Sequence, residues 1–385
     1  MARGAGLLAM ACGTFALGMA EFSMMAVLTP VARSLGVSIP AAGDFISAYA
    51  LGVTLGSPLP LLLRSRPYKH ILLILCAVIC AGNALTACAQ GYFSLLACRF
   101  LAGLPHGAYF GVAAIFATTL VERGRRASAV AIMVSGMTVA NLAGVPFATW
   151  LANSLSWRWA FVIAAFFGCA AFLGILFLTP ARHHGEAGSL KAAVSFLRGA
   201  APWLIFLATF LGQASVYCWY SYMEPIMLQV AHFAPDNMKW VMVAAGLGMF
   251  GGNLVAGKLA DHYHPAIVSG VTALMIIPAL AAIYYFSANQ ILATVMVFAG
   301  AALLFALGGP MQYLIVRFSR GGEILGGAGI QIAFNSSNAL AAWLGGLCIH
   351  AHYGLTSPAL LGIPFAAIAA CIIFWFYRRY GRVPL

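Results

Sequence analysis

Residues 6–30 read GLLAMACGTFALGMAEFSMMAVLTP. About 20 mostly apolar residues are enough to cross the hydrocarbon core of a bilayer as a helix. This stretch has that length and carries one charge, Glu21. It is too long for the 7–15-residue apolar segment of a signal peptide, and cleavage there would discard Glu21. Read as a span, it sets the rule for the rest of the chain. Eleven more apolar stretches follow, at 40–63, 70–89, 93–119, 127–152, 157–179, 202–229, 237–260, 265–287, 289–314, 324–350 and 357–377. Together they occupy most of the 385 residues and leave little chain for a soluble domain.

The composition agrees. Hydrophobic residues make up 63% of the chain and charged residues 7%, and the mean hydropathy is +0.95. A soluble domain carries about 25% charged residues. The expected fold is therefore an all-α membrane protein with twelve transmembrane helices. The polar break around Thr179–Ala201 divides them into two six-helix bundles, residues 1–179 and 202–385, with 180–201 as a cytoplasmic central loop.

The net charge of +12 invites a nucleic-acid partner, but the positions of the basic residues exclude one. With the N-terminus placed in the cytoplasm, sixteen of the twenty Lys and Arg fall at the termini and in the even-numbered breaks, as in Arg64-Ser-Arg66, Arg123-Gly-Arg125-Arg126 and Arg378-Arg379. The opposite side has Arg33, Arg158 and Lys239, and Arg99 lies within a span. This asymmetry places both termini in the cytoplasm. The nine cysteines lie mostly within spans, without a CxxC pair, and read as packing residues; no metal site or cofactor is expected.

The halves repeat. At an offset of 196 residues, Ala48, Gly52 and Gly56 fall on Ala244, Gly248 and Gly252, each set spaced by four on one helix face. Small residues at that spacing let membrane helices approach closely. Gly136, Ala140, Gly144 and Ala148 form a third ladder. Gly246-Leu-Gly248-Met-Phe-Gly251 fits the dinucleotide pattern GxGxxG, but it lies in a membrane helix without the strand that pattern requires. An enzyme would need a constellation such as HExxH or GxSxG, and none is present.

Charge inside a span costs at least ~2.5–3.5 kcal/mol, so it persists where it is paired or wetted. Glu21 in the first span and Arg99 in the fourth come to similar depth in the outer half at ~1.5 Å per residue. They read as a proton-coupling pair, with a static salt bridge as the alternative. Burial and a neighbouring positive charge act in opposite directions on a carboxylate's affinity for its proton. Arg99, Gly103 and His106 share one helix face, which makes His106 a candidate relay. In the seventh span Gln213, Tyr217, Tyr220 and Glu224 follow spacings of four, three and four. Gln213, Tyr217 and Tyr220 are expected to line a cavity, whereas Tyr222 and Glu224, near the outer end, fit an interfacial belt. Gln331, Asn335 and Asn338 give the eleventh span a polar stripe, either cavity lining or inter-helix hydrogen bonding. Asp44 reads as a helix-start residue.

Several runs resemble the major facilitator superfamily. Gly257-Lys-Leu-Ala-Asp261 is similar to its loop motif in the second half, and the first-half copy has Ser65 where that motif has Asp. Leu95-x-x-x-Arg99-x-x-x-Gly103 resembles the motif tied to proton coupling, and Ser135-Gly-Met-Thr-Val-Ala-Asn-Leu-Ala-Gly-Val-Pro146 resembles the antiporter motif. Trp157-Arg-Trp-Ala-Phe161 opens the sixth span in the same manner. Gly18-Met-Ala-Glu-Phe22, Pro105-His-Gly-Ala108 and Gln331-Ile-Ala-Phe-Asn335 narrow the resemblance to the twelve-span drug:proton antiporter branch and, within it, to sugar efflux. The resemblance implies pseudo-symmetric halves and proton-coupled efflux of a small organic solute, such as arabinose, by alternating access from the bacterial inner membrane. It implies a monomer whose partners are substrate, protons and lipid. Gly136, Gly144, Pro146, Gly248, Gly252 and Asp261 would serve packing and gating. The alternatives are a multidrug exporter and a non-transporting membrane sensor.

Overall fold

The computed structural model describes residues 2–63, 66–122, 125–180, 195–319 and 322–381. Twelve helices are long and apolar enough to span a membrane: α1 (Gly4–Ala26), α2 (Ile39–Gly56), α3 (Tyr68–Cys88), α4 (Tyr92–Thr119), α5 (Ser128–Ser154), α6 (Arg158–Leu178), α7 (Ala200–Gln229), α8 (Pro235–His262), α9 (Pro265–Phe286), α10 (Gln290–Phe318), α11 (Leu325–His350) and α12 (Ser357–Tyr380). Most of the central link, with Arg182, Glu186 and Lys191, lies outside the described residues, as do Arg64, Ser65, Arg123, Arg320 and Arg382. Twelve crossings bring the chain's two ends, and the link after α6, to one side, the termini side; the opposite side is the far side.

The two halves use equivalent packing. In the first, α1 packs on α5 and α6, α2 on α4, and α3 on α4 and α6. In the second, α7 packs on α11 and α12, α8 on α10, and α9 on α10 and α12. The glycine ladders explain the closest of these approaches. A methyl group at Gly52 or Gly56 would strike the carbonyl oxygens of Phe100 or Leu104 in α4. At Gly248 or Gly252 it would strike those of Phe298 or Ala302 in α10. The halves meet where α2 runs along α11 and α5 lies against α8. Gly136 and Gly144 face the other way, toward Ala11, Phe15 and Met19 of α1 within the same half.

Prolines break several spans, because each lacks an N–H and its ring crowds the carbonyl four residues back. α4 is interrupted at Leu104, ahead of Pro105. In α5 a π turn, Ala140–Gly144, opens the ladder ahead of Pro146. α7 stops at Tyr220 and restarts at Met223, with Pro225 four residues after Ser221. Two boundaries differ from the expectation. The first span ends at Ala26, and Leu28–Leu35 forms a helix of its own. The second ends at Gly56, before Pro58 and Pro60. Apolar side chains such as Phe166, Phe177, Trp240 and Ile291 cover the outside, as a surface in lipid requires.

Candidate functional site

Between the halves lies a cavity of about 590 Å³. Its mouth is lined by Val130, Val134, Val316 and Gly327, all near the termini-side ends of their helices, and its closed end by Glu21 and Phe22. It thus opens toward the termini side and is shut toward the far side. Phe22 packs against Phe305 and Tyr220 at centroid distances of 6.0 and 6.4 Å, which seals the closed end with aromatic rings.

Glu21 is 7% exposed and faces both halves. Asn338 Nδ2, on α11, donates to its Oε1 at 3.5 Å. His106 Nε2, on α4, stands 3.8 Å from its Oε2. The other nitrogen, Nδ1, is 2.8 Å from the Tyr49 hydroxyl. The same hydroxyl lies 3.5 Å from the Leu17 carbonyl; where it donates to Nδ1 instead, the imidazole proton is on Nε2 and faces the carboxylate. The interruption at Leu104 starts a new helical segment at Pro105, with His106 its second residue and in the cavity lining.

Arg99 is fully buried and forms no ion pair with Glu21. Its Nη1 donates to the carbonyl of Ala20 at 2.8 Å and its Nε to that of Phe45 at 3.3 Å. The guanidinium lies 4.3 Å from the centre of the Tyr49 ring and 5.3 Å from that of Phe161. The static salt bridge is therefore replaced by carbonyl and aromatic contacts. Arg99 touches the residue beside Glu21 and packs on the tyrosine that bonds His106, so a chain of neighbours connects it to the carboxylate.

Of the expected cavity residues, Gln213, Tyr217, Gln331 and Asn335 line it. Gln213 Nε2 donates to the Leu304 carbonyl at 3.2 Å and Asn335 Nδ2 to that of Gln331 at 3.0 Å. Tyr220 and Asn338 do not line it: Tyr220 sits behind Phe22, and Asn338 reaches Glu21 from α11. Asn141, Asn253 and Gln312 also line the cavity and were not singled out from the sequence, although each is an amide within an apolar run. The remaining wall is mainly apolar, with Phe110, Met133, Met137, Met249, Phe250 and Phe334.

Other expectations need correction. Tyr222 and Glu224 are not an interfacial belt; they are 0% and 1% exposed and packed between helices. Asp44 is not at the helix start, where Ser38 is the cap; it lies a turn further in and accepts a hydrogen bond from Tyr92 at 2.6 Å. Asp261 is exposed and enters no ion pair among the described residues.

The comparisons agree with this architecture. Over 97% of its length the chain is 42% identical to AraJ of Escherichia coli (strain K12), covering 95% of that protein. It is 35% identical to the inner membrane transport protein YdhP of the same organism, covering 97% of this chain and 96% of that one. It is 28% identical to the chloramphenicol resistance protein of Streptomyces lividans, with 95% of each covered. A crystal structure of a bacterial homolog of the human lysosomal transporter Spinster superposes with a TM-score of 0.75 at 17% identity, covering 99% of this chain and 98% of that one. The family model for the Major Facilitator Superfamily matches residues 10–326. With twelve spans in two equivalent halves around one cavity, this chain is a multi-pass membrane transporter of the Major Facilitator Superfamily.

Proposed function

We infer that the protein is a proton-coupled exporter of a small neutral organic solute, working by alternating access from a bacterial inner membrane with both termini in the cytoplasm. One observation carries this: a lone carboxylate, Glu21, stands at the closed end of the cavity and is bonded across the halves by Asn338. A charge there costs free energy in a membrane setting unless it is neutralised or paired. Proton uptake and release at Glu21 thus changes the bonding between the halves as well as the charge of the cavity.

His106 and Tyr49 serve as the relay and Arg99 as the group that positions them. The amides and Tyr217 give a solute hydrogen-bond partners without net charge, and the aromatic and methionine walls give it apolar surface. This lining supports a neutral, amphipathic solute that carries hydroxyl or amide groups. A sugar such as arabinose fits the polar part and the relationship to sugar efflux. The apolar walls and the chloramphenicol resistance relative favour the second reading, a multidrug exporter. The excess of Lys and Arg on the termini side supports the cytoplasmic orientation. In that orientation solute enters the cavity from the cytoplasm, and the carboxylate takes its proton from outside and releases it to the cytoplasm.

The test is substrate-dependent proton movement in proteoliposomes with a pH dye inside, using arabinose, other sugars, chloramphenicol and cationic drugs. A signal with one neutral solute that disappears in Glu21→Gln supports the assignment. A signal that persists in the variant moves coupling away from Glu21. Silence with every solute from folded protein favours a non-transporting sensor.

A further inference from the structure

The far side is closed by bonds between the halves, and one of them is made by a buried carboxyl group. Glu224, on the restarted segment of α7, is 1% exposed. Its Oε2 accepts from the Thr29 backbone N–H at 3.0 Å and from the Thr29 hydroxyl at 2.6 Å. Thr29 belongs to the first half and lies in the first turn of the short helix Leu28–Leu35. The first backbone N–H groups of a helix have no partner within it, so the carboxylate satisfies a donor that would otherwise be orphaned in a buried place. The neighbouring Tyr222 is wedged between α2 and α11: its hydroxyl donates to the Ala342 carbonyl at 2.6 Å, and its ring fills the space where a side chain at Gly43 or Gly345 would stand. Two neutral bonds also cross the halves nearby, Ser47 to the Ala339 carbonyl at 3.0 Å and Asn153 to the Pro235 carbonyl at 2.7 Å.

We propose that Glu224 is the gate residue of the far face, and that its double bond to Thr29 must part before the cavity can open to that side. Three features support it. The bond joins the two halves directly. It lies beyond the sealed end of the cavity, on the side that alternating access must open. It accepts twice, from a backbone N–H and a hydroxyl, where each neutral pair beside it has a single bond. The break at Ser221–Tyr222, ahead of Pro225, turns the end of α7 toward the other half and brings Glu224 to Thr29. The gate does not depend on which solute is carried or on Glu21 being the proton site.

The test is hydrogen–deuterium exchange of the full chain in nanodiscs, without solute, for wild type, Glu224→Ala, Glu224→Gln and Thr29→Val. Glu224→Ala is expected to speed exchange in segments 27–46 and 219–231 by about tenfold or more, the scale of two lost buried hydrogen bonds. It should also slow exchange at the cavity mouth, in 128–137 and 312–319. Glu224→Gln should give a smaller change of the same sign, because it keeps a neutral acceptor. Thr29→Val preserves shape and the backbone donor and should fall between Gln and wild type, which keeps the test decisive if Glu224→Ala does not fold. Unchanged far-side exchange in folded Glu224→Gln and Thr29→Val would overturn the proposal. So would faster exchange spread evenly over all twelve spans, since that reports lost stability rather than an opened gate.

Discussion

The two halves share a scaffold but not a chemistry. At the glycine contacts, Phe100 and Leu104 of α4 correspond to Phe298 and Ala302 of α10, a shift of 198 residues. By that correspondence Arg99 falls on Val297 and His106 on Leu304; at the offset of 196 between α2 and α8, Tyr49 falls on Ala245. All three counterparts are buried and apolar. The proposed relay around Glu21 thus has no counterpart at the equivalent positions of the second half. The second half supplies amides and carbonyls: Asn338 to Glu21, and the Leu304 carbonyl to Gln213. Backbone approach was kept where glycine permits it, and ionisable groups stand where one half needs them. A buried charge is costly to keep, so a duplicated relay would add that cost without a second carboxylate in the cavity to serve.

The largest effect should come from Glu21→Gln, which is expected to reduce solute-driven proton movement in proteoliposomes to background. Retention of coupling would move the ionisable centre away from Glu21 and break the comparison as drawn around it. Next comes Arg99→Leu, which removes the guanidinium's bonds to the Ala20 and Phe45 carbonyls and its contact with the Tyr49 ring. A hydrogen bond from a charged group contributes about 1.5–3 kcal/mol, so lower thermal stability in detergent is expected, together with weakened coupling. Val297→Leu, at the equivalent place, should leave coupling unchanged; a similar loss there would contradict the asymmetry.

Gly56→Ala and Gly252→Ala sharpen the shared scaffold. Each sets a methyl group against a carbonyl of the partner helix, and overpacking of this kind costs about 1–3 kcal/mol. Tryptophan-fluorescence melting should show similar losses for both, and tolerance in one alone would mean that the halves do not pack equivalently. The smallest effects are expected at the relay. His106→Gln should slow coupled flux about tenfold, which corresponds to ~1.4 kcal/mol, and Tyr49→Phe by less, because it removes only the hydroxyl, with its bonds to His106 and the Leu17 carbonyl, and keeps the ring under Arg99. If Leu304→Met slows flux as much as His106→Gln, the histidine acts through packing alone.

Most of the architecture was legible in the chain. Twelve apolar runs of spanning length, the skew of Lys and Arg to one side and the glycine spacing at an offset of 196 are local or periodic signals, and membrane burial of backbone permits little besides helix. Part of the site was legible for the same reason. A carboxylate, a histidine or an amide within an apolar run stands out, as Glu21, His106, Gln213, Gln331 and Asn335 did. Asn141 was hidden inside a motif that drew attention to its glycines and Pro146. Asn253 and Gln312 gave the same signal but were passed over beside stronger ladders.

What sequence could not decide was which polar groups meet. Arg99 and Glu21 come to one depth, so a salt bridge was a fair expectation, yet side-chain direction sends the guanidinium to two carbonyls and two rings. Glu224 and Tyr222 sit near the end of a span, where a belt residue and a buried gate look alike. Only the break ahead of Pro225 and the approach of the other half separate them. The sequence by itself determined the spans, their number, the repeat and the kinds of polar group available, because the bilayer acts on each segment separately. The tertiary structure alone decided that Asn338 and Thr29 reach carboxylates in the opposite half, because partners 195 or 317 positions apart are chosen by how the two bundles dock.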